Sequence, residues 1–371
     1  MNTHRLWSRG QSPWLDDISK CMLDSGQLKR MVYEEGIRGV TTNPTIFDKA
    51  ISSGQCGYPD EIRQLLAKGK SPVQVYEALS AADVRGAADV MRRLYDDSGG
   101  TDGFVSWEEA PEFAFNQDQA VSEAKRLAGI IDRPNLFVKI PSTPQGAAAL
   151  RHVIRLGISV NMTLMFSHEQ YSQIAQSYIA GLEDRLADGG SLVGVRSVAS
   201  VFVSRIDNAV NKALAAFPKE PTALALRGKI AVANTKMIYQ DFLRIFSGPR
   251  WEKLAAQGAK VQRPLWASTG TKDPSYSDTL YVDSLIGPNT VNTLPAKTIE
   301  AFQDHGVVKG DTICEGVDQA QAQLSQLARL GVSLEQINAT LLTDGVKAFA
   351  DSYNQLLRTI SGSLVEVAHE G

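Results

Sequence analysis

Short β-branched or apolar runs alternate with helical patterns along almost the whole chain, and no other feature limits the possible folds as much. Strands separated by helices pair in parallel, because each helix carries the chain back to the same edge of the sheet. Eight runs read as strands: 14–18, 39–43, 103–108, 136–140, 158–164, 192–200, 263–268 and 279–285. The helices between them show ends and faces. Ser167 and Gln170 have capping-box spacing ahead of Tyr171, Ile174, Ala175, Tyr178, Ile179 and Leu182, which fall on one helical stripe. Leu150, Val153 and Ile154 form a stripe that stops at Gly157, and Leu28, Met31 and Val32 one that ends at Gly36. Pro221 opens a long helix bearing Ile230, Met237, Ile238, Phe242 and Ile245 that runs out at Ser247-Gly248-Pro249.

The architecture this predicts is α/β: a closed (β/α)8 TIM barrel with additional helices after the second strand and at the C-terminus. No repeat period and no Pro- or Ser-rich linker divides the chain, so residues 1–371 read as a single barrel domain. A helical insertion over about 44–102 and a helical extension over about 310–371 account for a length of 371 residues, against the roughly 250 of a plain barrel. A doubly wound open sheet is the alternative, but no G-x-G-x-x-G follows any of the strands.

Charge and cysteine usage exclude several classes of function. A net charge of -3, with no Lys/Arg cluster interleaved with aromatics, gives no footprint for nucleic acid. No apolar stretch reaches the roughly 18 residues of a membrane span, and Met1 to Trp14 lacks the apolar core of a signal peptide. Cys21, Cys56 and Cys314 are widely spaced and odd in number, so neither a disulfide framework nor a metal knuckle is drawn, and a reducing cytoplasm is the default compartment. The expected partners are small molecules or a second copy of the chain, as monomer or homodimer.

In a barrel the catalytic groups lie at the C-terminal ends of the strands. Polar residues there are Asp16 and Asp17, Thr42 and Asn43, Glu108, Lys139, Asn161 with Thr163, Ser200, and Ser268. Lys139 stands out, because Leu136-Phe137-Val138 and Ile140-Pro141 flank it with apolar residues. An amine in a core costs stability unless its surroundings lower its pKa, and a lysine so placed is a candidate nucleophile. It also reads as a lysine on a solvated edge or one paired with a buried carboxylate. Taken singly the others have plain readings too: Asn43 before Pro44 as a turn residue, Asp16 and Asp17 as helix caps, Glu108 and Glu109 as an exposed pair. Ser167 reads as a cap and not as a nucleophile. Together they supply an amine, two carboxylates for proton transfer, and amides and hydroxyls that suit a polyhydroxylated substrate. The five histidines neither pair at i, i+4 nor sit on strand ends, which leaves no metal-ligand cluster and points to metal-free Schiff-base chemistry on a sugar. Arg205 at a strand-to-helix junction and the loop Ser268-Thr269-Gly270-Thr271-Lys272 are candidates for holding phosphate, against the readings of a surface arginine and an ordinary loop.

At these residues the chain resembles the transaldolase family of class I Schiff-base enzymes. Gly39-Val40-Thr41-Thr42-Asn43-Pro44-Thr45-Ile46-Phe47 is similar to its first signature, and Val138-Lys139-Ile140-Pro141-Ser142-Thr143-Pro144-Gln145-Gly146 to its active-site signature. Leu15-Asp16, Val105-Ser106-Trp107-Glu108, Asn161 to Ser167 and Ser200 to Arg205 extend the resemblance in order from about residue 14 to 287. The resemblance implies a transaldolase of the non-oxidative pentose phosphate pathway. Such an enzyme moves a dihydroxyacetone unit from sedoheptulose 7-phosphate or fructose 6-phosphate to glyceraldehyde 3-phosphate or erythrose 4-phosphate, with no cofactor and no metal.

The same resemblance implies the roles. Lys139 forms the imine, Glu108 and Thr163 manage a water, and Asp16 takes the C4 hydroxyl proton. Asn43, Asn161 and Ser200 hold hydroxyls, Phe202 shapes the pocket, and Arg205 with Ser268 holds phosphate. Many members carry an arginine shortly after the position of Ser268; this chain reads Thr269-Gly270-Thr271-Lys272, so Lys272 is the expected substitute. That version resembles the longer bacterial subgroup, some members of which are fused to a glucose-6-phosphate isomerase, a second domain for which this chain is too short. The alternatives are a fructose-6-phosphate aldolase that releases free dihydroxyacetone, and a non-catalytic sugar-phosphate binding barrel. The latter would be expected to have lost Lys139, Asp16 or Glu108.

Overall fold

The computed structural model describes residues 1–369, with side chains through residue 362. Eight parallel strands close in sequence order into a barrel. They are β1 (Gln11–Leu15), β2 (Gly39–Thr41), β3 (Phe104–Glu108), β4 (Leu136–Pro141), β5 (Val160–Met165), β6 (Ser197–Phe202), β7 (Arg263–Ala267) and β8 (Thr290–Leu294). β8 closes the ring against β1 with Gln11 opposite Thr290 and Leu15 opposite Leu294. Strand residues are buried on both faces, apart from half-buried Arg263, because helices cover the outside and side chains fill the inside.

Alternate residues of each strand face inward, so the interior is built in layers. Trp14, Phe104 and Phe137 form an aromatic lower layer, with Phe104 and Phe137 stacked at 4.1 Å and Trp14 6.1 Å from Phe137. Gly39 completes that layer: a Cβ there would stand 2.3 Å from the Trp14 ring, so β2 gives up its side chain to make room for the indole. Two residues further along each strand come Asp16, Thr41, Ser106 and Lys139. The aromatic layer is thus the floor beneath the polar groups.

Helices Pro44–Ser52, Tyr58–Ala67 and Pro72–Asp97 lie between β2 and β3, and Ala296–His305, Val317–Arg329 and Leu334–His369 follow β8. The last of these packs on Pro44–Ser52, Pro72–Asp97, Ser204–Leu214 and β5. It therefore crosses the C-terminal mouth of the barrel.

Several expectations are corrected. The eighth strand is Thr290–Leu294; within 279–285 the chain forms the short helix Leu280–Asp283. Tyr281, Val282 and Leu285 pack into the core as a strand would, whereas the true strand alternates Thr, Val, Asn and Thr between Pro288 and Pro295 and looks like a loop. β1 starts three residues earlier than predicted, because the donors of Gln11 and Ser12 find partners inside: the Gln11 amide donates to Leu285 O at 2.6 Å and Ser12 Oγ to Asp102 at 2.5 Å. β6 is displaced toward Phe202. The helix predicted from Pro221 is two, Pro221–Leu226 and Ile230–Ile245, broken where Gly228 takes φ +67°. Cys21 and Cys56 form a disulfide with Cα atoms 5.3 Å apart, because the segments after β1 and after the helix Pro44–Ser52 meet in space. Their 35-residue separation in sequence hid that proximity. Among the described residues no helix is long and apolar enough to cross a membrane.

Candidate active site

A cavity of about 350 Å³ opens at the C-terminal mouth. Lys139, Thr163, Ser200 and Phe202 line it from the strands, Asp16 and Asn43 from just past the ends of β1 and β2, and Arg205, Ser268 and Lys272 from the loops and helix starts beyond. Glu108 and Asn161 stand behind this surface as the register partners of Lys139 on either side.

Lys139 is 4% exposed, and its surroundings replace the water it has lost. Its Nζ lies 3.0 Å from Glu108 Oε2, donates to Thr42 O at 2.9 Å, and sits 5.5 Å from the centre of the Phe349 ring. The reading as a lysine paired with a buried carboxylate therefore describes its environment, and the same pair suits a nucleophile. Burial raises the Glu108 pKa above the ordinary carboxylate value, while the ammonium opposes the shift. A carboxyl held high beside an amine is placed to exchange a proton with it. Glu109, read from sequence as part of an exposed pair with Glu108, is also buried. Neither of its oxygens has a hydrogen-bond partner, and burial, Glu108 and Glu123 push its pKa well up.

On the opposite wall Thr41 Oγ1 lies 2.6 Å from both Asp16 Oδ1 and Thr293 Oγ1. Asp17 is partly buried with its pKa raised by that burial, and does not line the cavity. Asn43 caps the helix Pro44–Ser52 by accepting from Ile46 N at 3.0 Å, so the turn reading and the cavity position both hold. Its amide NH2 remains to donate. Asn161 donates to Ser106 Oγ at 3.1 Å and accepts from Ser200 Oγ at 2.7 Å, which fixes the Ser200 rotamer under the cavity. Thr163 Oγ1 is buried without a partner. The pairing of β5 with β6 slips between Met162 and Met165, and Leu164 there takes φ +59°. A left-handed leucine costs about 1–2 kcal/mol, and bulges of this kind re-aim side chains beside active sites. Ser268 is left-handed too, at φ +54°, with its hydroxyl 2.9 Å from that of Ser204.

Arg205 opens the helix Ser204–Leu214, and its guanidinium lies over the Phe202 ring at 4.9 Å. Burial lowers its pKa, with Glu108 and Asp16 acting in the other direction, yet it makes no ion pair among the described residues. Lys272 is exposed on the rim. Ser167 accepts from Gln170 N at 3.1 Å in a capping box, as its spacing predicts.

Lys49, Thr293 and Phe349 also line the cavity and had no sequence signal, and Thr41 lines it as part of the first signature without having been given a role. Phe349 comes from the last helix, whose approach depends on Gly345, where a Cβ would stand 2.8 Å from Leu164. A glycine four residues before an aromatic is the one trace it leaves in the sequence. With Lys49, the cavity wall carries Lys139, Arg205 and Lys272 against the single carboxylate of Asp16, a field that favours an anionic ligand.

The profile of the family described as Transaldolase/Fructose-6-phosphate aldolase matches residues 13–360. Transaldolase 1 of Streptomyces avermitilis is 46% identical over 363 residues, covering 98% of this chain and 96% of its own length. A transaldolase of a Parafrankia species is 47% identical over 363 residues, 98% of each chain. One of Mycolicibacterium paratuberculosis is 45% identical over 357 residues, 96% of this chain and 95% of its own.

Proposed function

The chain belongs to the transaldolase/fructose-6-phosphate aldolase family and has the transaldolase activity of the pentose phosphate pathway; from that premise we propose that Lys139 is its imine-forming residue. The observation that carries the assignment is a buried amine, 3.0 Å from a buried carboxylate, at the wall of a cavity rich in cations. In its neutral form Lys139 Nζ adds to the C2 carbonyl of the ketose phosphate, after passing its extra proton to Glu108. The carbinolamine loses water, with Glu108 supplying the proton to the departing hydroxyl and Thr163 Oγ1 holding the water, which leaves the iminium.

Asp16 then takes the proton of the C4 hydroxyl. The C3–C4 bond breaks, its electron pair moves to the iminium to give an enamine, and the aldose phosphate leaves. Asn43 and Ser200 hold the hydroxyls of the retained three-carbon unit, with Asn161 fixing Ser200. A second aldose phosphate enters, the enamine carbon attacks its aldehyde, and the oxygen takes the proton back from Asp16. Water returning through Glu108 hydrolyses the imine. Arg205, Ser268 and Lys272 hold the phosphate, and Phe349 keeps bulk water from the enamine. Sedoheptulose 7-phosphate and fructose 6-phosphate are the donors, glyceraldehyde 3-phosphate and erythrose 4-phosphate the acceptors.

Acceptor dependence tests the transfer. Fructose 6-phosphate alone is expected to be consumed slowly, and erythrose 4-phosphate to accelerate it with formation of a seven-carbon ketose. Equal consumption without acceptor, with free dihydroxyacetone accumulating, would make the enzyme an aldolase.

A further inference from the structure

The disulfide joins two segments that both lead to the sugar-phosphate cavity. Cys21 lies on the helix Lys20–Asp24, shortly after Asp16. Cys56 follows the helix Pro44–Ser52, which Asn43 caps and whose Thr45, Ile46 and Lys49 line the cavity. The two Cα atoms are 5.3 Å apart, within the usual range for a disulfide.

Two features mark the bond as one that opens and closes in place. Both cysteines are half-buried, so a small thiol reaches them, which a disulfide sealed in a core does not allow. The segments also stay together without the bond. Tyr58, just past Cys56 and 1% exposed, accepts from Lys20 N at 2.8 Å and donates to Asp83 Oδ2 at 2.6 Å, and Lys20 Nζ lies 3.7 Å from Glu61 Oε1. These contacts keep a reduced pair close enough to close again. The bond itself restrains the loop between the helices, where Gly54, Cys56 and Gly57 take φ of +67°, +59° and +81°. Glycine tolerates the left-handed region, and cysteine does not favour it. With the bond open, Cys56 is free to leave that conformation, and the end of the helix bearing Lys49 loses its tie to the segment after β1.

We propose that Cys21 and Cys56 form a reversible redox site, closed by a small-molecule disulfide and opened by a small-molecule thiol, which sets the affinity for the ketose phosphate through the helix Pro44–Ser52. One cysteine thiolate attacks a sulfur of the oxidant and expels a thiolate; the other attacks the mixed disulfide and expels the second. Two cysteine thiols become one disulfide, the oxidant disulfide is reduced to two thiols, and the two cysteine protons pass to the departing sulfurs. Lys139 and Glu108 stand on β4 and β3, outside the linked segments, and Asp16 keeps its 2.6 Å bond from Thr41. Opening therefore acts on binding through Asn43 and Lys49 more than on turnover, a consequence that rests on the assignment of Asn43 to the sugar site.

The test compares the full-length protein equilibrated with oxidised and with reduced dithiothreitol. Maleimide mass labelling after denaturation is expected to find only Cys314 free in the oxidised form and Cys21, Cys56 and Cys314 all free in the reduced form. KM for fructose 6-phosphate at fixed erythrose 4-phosphate is expected to be about 2- to 10-fold higher in the reduced form, the worth of one hydrogen bond. kcat changes little, and reoxidation restores KM. Cys21→Ser is expected to hold the reduced value in both buffers and Cys314→Ser to follow the wild type; the two forms of the wild type keep the test decisive if Cys21→Ser does not fold. The same labelling in both buffers would overturn the redox site. Equal KM in the two forms, or a change that persists in Cys21→Ser, would overturn its coupling to sugar binding. Labelling does not depend on the sugar assignment, so a failure of the transaldolase reading is told apart from a failure of the redox site.

Discussion

Replacing Glu108 with glutamine separates the two functions of the buried pair. Glutamine keeps the shape and a hydrogen-bonding oxygen but removes both the charge and the exchangeable proton. Lys139 Nζ lies 3.0 Å from the Glu108 carboxylate, and both side chains are about 5% exposed or less, so solvent screens little of the interaction. Removing one partner of such a pair costs about 3–5 kcal/mol, reduced here by the bond to Thr42 O and by the Phe349 ring. Loss of the proton carrier lowers kcat by about 10²–10⁴-fold. Two measurements separate the effects. Denaturation of Glu108→Gln, Lys139→Met and the double variant gives a coupling of about 1–3 kcal/mol, since the double variant buries no lone charge. The pH profile of kcat in the wild type has an acidic limb above the ordinary carboxylate pKa, because burial raises Glu108 and the ionised form is the base. That limb is absent in Glu108→Gln. A kcat within a few-fold of wild type, or additive stability losses, would refute the reasoning.

Arg205→Ala is expected to raise KM for phosphorylated sugars about 10- to 100-fold, the worth of a charged hydrogen bond, with kcat little changed; an unchanged KM would remove Arg205 from the phosphate site. Glu109→Gln is expected to stabilise the protein at neutral pH. The folded-state pKa of Glu109 lies above its unfolded value, so the native state holds the proton more tightly and stability falls as pH rises above about 4.5 toward the folded pKa. The thermal midpoint of the variant gains on wild type across that window, by about 2–4 °C for each kcal/mol recovered. No gain at pH 7 would mean that the carboxylate is solvated after all.

The barrel was legible because its strands are buried on both faces and therefore read as continuous apolar runs. Thr290–Leu294 failed that test: Thr290, Asn292 and Thr293 are fully or almost fully buried, yet their composition is that of a turn. The candidate residues were legible because a lysine among apolar neighbours and polar groups at strand ends are local patterns. Lys49 and Phe349 were not, since nothing in a helix sequence says which residue a distant strand end will face.

The central claim is that Lys139 carries the covalent intermediate. Incubation with fructose 6-phosphate and borohydride, followed by peptide mass analysis, is expected to place a reduced dihydroxyacetone adduct on Lys139 and to give no adduct in Lys139→Met. An adduct on another lysine, or undiminished trapping in that variant, would contradict it.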